Sequence, residues 1–393
     1  MKKDIVCVRA FLKENLGDDL FLDILCNRYP KKKFVVCGSK KYSGSLAEIK
    51  NLEYKYDDSY MVKWTLRLLN FFSIIFNKIC LCLWKRHLFS KVSLFDIWSS
   101  ICQYNVLISG SLFIQRKITG KCYFPNIKSP YRRSEKKYYN RKPIVLGCNF
   151  GPYYDESYRQ EYQELFLKAK QVSFREKYSA DLFEGDNIYW ASDIVFSYSK
   201  NKCILPDLKE YVLISVVNLN KDFDDKNKLA EEYLKYMIEL VNKLKNANHK
   251  IVLLGCCNSQ GDDIICYQIL DGVRDNSNIR VVDYPNYDMH QMVGYFANAK
   301  YVVASRFHAM ILGWLFEKNV FPIVYDDKML HVIKDIEKRI GIDIKHTSIK
   351  NLDVNYIEYV LQHITDNFEW SEELRGIISD SNRHFELLDR LLK

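Results

Sequence analysis

Short apolar runs recur along this chain, each closing on a cluster of Gly, Ser, Asn or Arg and followed by a segment with helical spacing. Residues 4–8 read as a buried strand and Asn15-Leu16-Gly17-Asp18-Asp19 as a polar turn. Leu20, Ile24 and Leu25 then mark one face of a helix, and 33–37 is the next strand. That β-turn-α-β order opens a doubly wound parallel sheet. Further strands are expected at 106–108 before Gly110 and Ser111, at 144–148 before Asn149, Phe150, Gly151 and Pro152, and at 171–174 before Arg175. A helix is expected over 157–169.

The second half repeats the rhythm, with strands at 211–217, 249–255, 279–283, 300–304 and 320–325. Helices are expected between them at 227–246, 262–270, 290–299 and 309–317. The stretch 204–209, with Pro206, reads as the connection. The expected architecture is α/β: two doubly wound Rossmann-like domains, 1–205 with an apolar helical insertion over 60–100, and 206–370. A helix over 371–393 crosses back onto the first domain. Ligands of such sheets lie at strand carboxyl ends.

Residues 64–89 interrupt the pattern: the run is apolar but shorter than the ~20 residues that span a bilayer, and it carries Lys78. It reads either as helices packed on the sheet or as an interfacial surface where Trp84, Phe71 and Phe72 meet lipid beside the basic Arg67, Lys85 and Arg86.

At 393 residues the chain exceeds one ordinary core, which agrees with two domains. Its 58 Lys and Arg against 49 Asp and Glu give a net charge of +9, which favours anionic partners. Zinc-finger spacing and basic-aromatic repeats are absent from the sequence, so no nucleic acid is expected. The twelve cysteines never form a CxxC and several sit in apolar runs, as reduced thiols of a cytoplasmic protein do. The amino terminus lacks a signal-peptide core. The expected location is cytoplasmic, or peripheral at the inner face of the plasma membrane if 64–89 meets lipid.

The strongest local signal runs from Lys300 to Met310. A strand ending at Ala304, a turn at Ser305 and a helix starting near His308 would bring Arg306 and His308 to a strand's carboxyl end beside a helix amino terminus. Unpaired N–H groups, the positive dipole end and the guanidinium fork imply an anionic ligand. His308 there could release a proton near neutral pH once a dianion arrives, or it could simply cap or pack. Tyr325 and Lys328 follow the next strand, where Lys328 is either a ligand contact or a solvated loop residue. Asp262, in the strand-to-helix loop with Asn258, reads as a helix cap or a ligand contact, and Asp18 does likewise. Loop shape alone accounts for Asn149 to Pro152. Arg175, directly after a strand, is a better candidate than Glu176. GxSxG, HExxH, P-loop and GxGxxG patterns are absent from the sequence, which leaves serine hydrolase, zincin, P-loop kinase and dinucleotide readings without a motif.

Ser305-Arg306-Phe307-His308-Ala309, followed by Val320 to Lys328, resembles the signature of the polysaccharide pyruvyl transferase family. Asn15 to Asp19, Gly110-Ser111, Gly147 to Pro152, Val172 to Glu176 and Ser192-Asp193 are similar to its other motifs, in the same order. The resemblance implies a glycosyltransferase B-like fold, phosphoenolpyruvate as donor substrate and a pyruvate ketal on a surface-polysaccharide sugar. The acceptor could be lipid-linked. It also implies Arg306 in donor binding and His308 as acid, with no metal or redox cofactor. Many members carry an arginine after the first strand of the second domain, where this chain has Val217-Asn218. Asn218, Lys328 or Arg175 would then substitute. The remaining substrate contacts are expected from Ser305, Tyr325, Asn258 and Asp262. On the acceptor side they are expected from Asn15, Gly17, Asp18, Gly110, Ser111, Asn149 and Gly151. Two rival readings stay open: a nucleotide-sugar glycosyltransferase, which fold alone cannot separate, and a non-catalytic component of a polysaccharide-making complex.

Overall fold

The computed structural model describes residues 2–58, 60–84, 93–115, 117–118, 121–122, 130–219, 226–366 and 371–393. The chain divides into two compact units: residues 1–12, 21–191 and 384–393 form one, and 13–20 with 192–383 the other.

The chain begins with β1 (Lys2–Arg9), α1 (Leu16–Arg28), β2 (Lys33–Gly38), β3 (Leu52–Tyr56), α2 (Tyr60–Trp84), α3 (Leu94–Ile101) and β4 (Cys102–Ile108). A small hairpin of β5 (Lys117–Ile118) and β6 (Lys121–Cys122) precedes α4 (Pro130–Tyr139), β7 (Ile144–Cys148), α5 (Glu156–Phe166), β8 (Gln171–Phe174), α6 (Lys177–Asp181) and β9 (Ile188–Trp190). The seven-stranded parallel sheet of this unit has the order β3-β2-β1-β4-β7-β8-β9. Its strands are nearly continuous apolar runs because both faces are covered; all five residues of β7 are buried.

The second unit contains β10 (Tyr211–Val216), α7 (Lys226–Asn246), β11 (Lys250–Gly255), α8 (Asp262–Gly272), β12 (Ile279–Asp283), α9 (Met289–Asn298), β13 (Tyr301–Ala304), α10 (Phe307–Leu315) and β14 (Asn319–Val324). It continues with α11 (Asp327–Ile340), β15 (Thr347–Ser348), α12 (Val354–His363) and α13 (Ser371–Ser381). The six parallel strands run in the order β12-β11-β10-β13-β14-β15. Chain order departs in opposite directions from the β10/β13 pair, and the loops after these two strands flank the crevice where such sheets take ligands.

The two-sheet α/β architecture is the expected one, and the differences have local causes. Strands β3, β9 and β15 escaped the apolar pattern because β3 and β9 hold only half-buried or exposed residues and β15 is two residues long. Lys328 lies in the first turn of α11 instead of a loop, because Asp326 caps that helix by accepting from the Lys328 N–H at 3.3 Å. The expected terminal helix is broken: α13 stops at Ser381, a tight turn covers 382–385, and α14 (Glu386–Leu392) follows. Asn382 Nδ2 donates to the Ile378 carbonyl at 3.0 Å and satisfies the end of α13. Only residues 384–393 join the first unit, where Arg28 Nε and Nη2 donate to Asp389 at 3.0 and 2.7 Å and Tyr29 Oη at 2.8 Å. Over 60–100 the described chain forms α2 and α3, whereas residues 85–92 and the Trp84 and Lys78 side chains lie outside the described residues. No helix among the described residues is long and apolar enough to cross a membrane.

Candidate active site

The expected site residues fall into two clusters, one in each unit. In the second unit Ser305 follows β13, where its N–H donates to the Ser215 carbonyl at 3.0 Å and its Oγ accepts from Tyr233 Oη at 2.8 Å. Ser305 is fully buried and pins the loop to α7. Arg306 occupies the cap position of α10 in extended backbone, with φ −106° and ψ 141°. Its guanidinium turns to the buried Asp262: Nε donates to Oδ2 at 2.8 Å, Nη2 pairs with Oδ1, and Nη1 donates to Gln260 Oε1 at 2.6 Å. Burial works against the charge of Arg306, but the adjacent Asp262 outweighs it and holds the pKa above the ordinary arginine value. Three of its five N–H groups are used in these bonds.

Asp262 opens α8 and is completely buried, and its Oδ1 also accepts from the Asn218 N–H at 3.2 Å. It is therefore a partner of Arg306 and a brace of the β10 loop, not a solvent-facing cap. Asn218, expected to stand in for a donor-binding arginine, donates from Nδ2 to the Gly261 carbonyl at 3.1 Å and so ties two loops together. Asn258 donates from Nδ2 to Asp283 Oδ2 at 2.7 Å. The Tyr325 ring lies 6.0 Å from the Arg306 guanidinium carbon and 5.1 Å from Lys328 Nζ, and Lys328 also pairs with Asp326 at 3.2 Å.

His308 is the second residue of α10, and its side chain remains 15% exposed. Two motifs remote in sequence meet it. Nε2 lies 3.9 Å from Oδ2 of Asp193, whose own side chain is buried and whose Oδ1 accepts from the Val195 N–H at 2.8 Å. On the other edge, a Cβ at Gly17 would stand 1.7 Å from Nδ1, so only glycine fits there. Gly17 is held by its N–H to Asn15 Oδ1 at 3.1 Å, and the neighbouring Leu16 N–H bonds the Cys256 carbonyl at 3.1 Å. Asp18 is buried in the same turn, and Asp19 accepts from Tyr284 Oη at 2.7 Å. The segment 13–20 thus belongs to the second unit, and the first turns of α1 and α10 converge on the imidazole with their positive ends.

In the first unit Gly110, Ser111, Asn149 and Arg175 meet at the carboxyl ends of β4, β7 and β8. Asn149 Oδ1 accepts from Ser111 Oγ at 2.9 Å and from Arg175 Nη2 at 2.7 Å, and the Asn149 N–H bonds the Gly110 carbonyl at 2.9 Å. A Cβ at Gly110 would stand 2.7 Å from Arg175 Nη1. Arg175 is buried and supports these loops from beneath. Gly151 has φ +106° and precedes Pro152 through a cis peptide, a left-handed conformation that suits glycine.

Asp193 is legible in the sequence as part of the Ser192-Asp193 motif but its target is not, and Gln260, Tyr233 and Tyr284 do not stand out in the sequence as site residues. The Ser192-Asp193 pair is the available signal for the first, whereas Tyr233 looks like an ordinary apolar position of α7 and Tyr284 like a residue of the turn after β12.

A family model described as polysaccharide pyruvyl transferase matches residues 7–327. The chain belongs to the polysaccharide pyruvyl transferase family. No curated protein matches it in sequence. Among solved structures, HepE of Anabaena in complex with UDP and glucose is similar at 9% identity and TM-score 0.52, over 98% of this chain and 96% of that one. UDP-GlcNAc 2-epimerase of Methanocaldococcus jannaschii is similar at 9% identity and TM-score 0.51, over 99% of this chain and 100% of its own. The spinosyn forosaminyltransferase SpnP matches at 10% identity and TM-score 0.50, with 100% of each chain covered. At such identities the likeness concerns the fold, which is that of glycosyltransferases of the B type. Fold and family together make this family member a polysaccharide-modifying transferase.

Proposed function

We propose that this chain transfers the pyruvyl group of phosphoenolpyruvate to a sugar of a surface polysaccharide or its precursor. The observation that carries the reading is the imidazole of His308, partly open to solvent and held between Gly17 and Asp193 at two helix amino termini. A proton passes from His308 to the methylene carbon of the donor, leaving an oxocarbenium centre at C2. One sugar hydroxyl attacks that centre. A second displaces phosphate, and the ketal closes with both hydroxyl protons released. The carboxylate and phosphate carry negative charge throughout, and helix-start N–H groups with the remaining N–H groups of Arg306 stabilise it. Asp193 orients the imidazole and stabilises its charged form. Asn15, Asp18, Tyr325 and Lys328 are the proposed further substrate contacts in this unit. Gly110, Ser111, Asn149 and Gly151 shape the proposed acceptor loops of the first unit.

The test offers purified full-length protein phosphoenolpyruvate with its glycan precursor. Acceptor-dependent release of inorganic phosphate and a ketal-bearing product are expected. Release of a nucleotide from a sugar nucleotide, with phosphoenolpyruvate untouched, would establish the glycosyltransferase reading instead.

A further inference from the structure

Helix α2 presents an apolar surface that no packing among the described residues covers. Trp64, Phe71, Phe72 and Ile74 are each more than half exposed, and Leu68, Leu69 and Ile75 are exposed as well. Trp64, Leu68, Phe71 and Ile75 follow the i, i+4, i+7, i+11 spacing of a single helical stripe, with Phe72 beside it. The opposite side, through Val62, Leu66 and Asn70, is the half-buried one. Lys63 and Arg67, one turn apart, border the apolar stripe.

The charge of the segment decides among occupants. Between Asp58 and Asp96 the sequence contains Lys63, Arg67, Lys78, Lys85, Arg86 and Lys91 and not one acidic residue. Asp57 and Asp58 stand just before α2 and interact electrostatically with Lys63. Two copies of a surface with an excess of positive charge repel each other, whereas a negatively charged partner with an apolar layer beneath satisfies both the cations and the aromatics. Interfacial helices of peripheral proteins combine these features.

We propose that α2 docks this protein on the surface of an anionic phospholipid bilayer, lying in the interface with Trp64, Phe71 and Phe72 among the acyl chains and Lys63 and Arg67 at the headgroups. The helix lies on the membrane without crossing it. This inference is independent of the pyruvyl-transfer reading, because docking is read without turnover.

The experiment is sedimentation of the full-length protein with vesicles. It sediments with mixed phosphatidylglycerol and phosphatidylcholine vesicles and much less with phosphatidylcholine alone, and binding weakens when salt is raised to about 0.5 M. Phe71→Gln combined with Phe72→Gln lowers the partition coefficient about tenfold or more. Lys63→Gln combined with Arg67→Gln lowers it about fivefold per charge on the mixed vesicles alone. A vesicle-dependent blue shift of tryptophan emission shrinks in Trp64→Phe. All these positions are exposed, so thermal melts of the variants match the parent. Wild-type protein that stays unbound with both vesicle types would overturn the proposal. So would undiminished binding of the Phe71/Phe72 variant, or a dimer seen by light scattering that the same variant abolishes.

Discussion

The imidazole of His308 is gripped on one edge by a glycine and faced on the other by a buried carboxylate, and each contact predicts a separate result. On the proposed mechanism His308→Asn keeps size and polarity but removes the acid, so the proposed pyruvyl transfer falls at least about 100-fold while the melting temperature stays near the parent's. Gly17→Ala forces the ring aside, because the new methyl would stand 1.7 Å from Nδ1. Loss of kcat by about tenfold or more with KM for the donor little changed is expected in steady-state kinetics. Arg306 and Asp262 behave differently, since they form a buried pair. Arg306→Ala or Asp262→Ala leaves one charge unpaired and costs about 3–5 kcal/mol in chemical denaturation, and the double variant costs less than the sum. At this scale the place of Arg306 and His308, between the end of β13 and the first turn of α10, was legible in the sequence. That the fork of Arg306 turns inward to Asp262 was not legible, because the two lie on different strand-to-helix loops and only the sheet order brings them together.

Among the elements, α13 joins the rest of its unit through buried Leu374 and Ile377, through Ser381, whose Oγ bonds Ser197 Oγ at 2.6 Å, and through the Asp380 carboxylate. Asp380 accepts from the Ser192 N–H at 2.7 Å, from Arg339 Nη2 at 2.8 Å and from Arg383 Nη1 at 2.8 Å. Burial alone would raise its pKa, but these donors outweigh burial and hold it at about 2. The folded value lies below the ~3.9 of an unfolded aspartate, so the contribution is fully present above about pH 4 and is lost as pH falls through about 2. Thermal melts of the parent should therefore drop more steeply between about pH 4 and pH 2 than melts of Asp380→Asn, which starts lower. Helix and strand interiors were legible because apolar periodicity follows backbone geometry. Edge strands such as β9 and the break at Asn382 were not, since half-buried positions carry weak patterns and a cap is a local contact.

For the whole molecule, the notable feature is that chain order and unit membership diverge at both ends. Residues 13–20 belong with 192–383, and residues 384–393 with the amino-terminal unit. Phe385, Leu388 and Leu392 are buried there, and each contributes about 1.5–3 kcal/mol when removed from water. Deleting 384–393 should lower the unfolding midpoint of the first unit by several degrees in calorimetry or make that unit insoluble. Asp389→Asn should give a smaller shift of the same sign. What the sequence by itself determined is the alternation of strands and helices, the parallel sheets that follow from it, and the family through motifs that are contiguous in the chain. Only the tertiary structure decided which distant motifs share a site: Gly17, Asp193 and His308 are contiguous in space but far apart in sequence. It also decided that α2 turns Trp64, Phe71 and Phe72 outward. The physical reason is that periodicity encodes which face of an element is apolar, whereas the partner of that face, or of a buried charge, is set by strand order and by long-range packing that no local window contains.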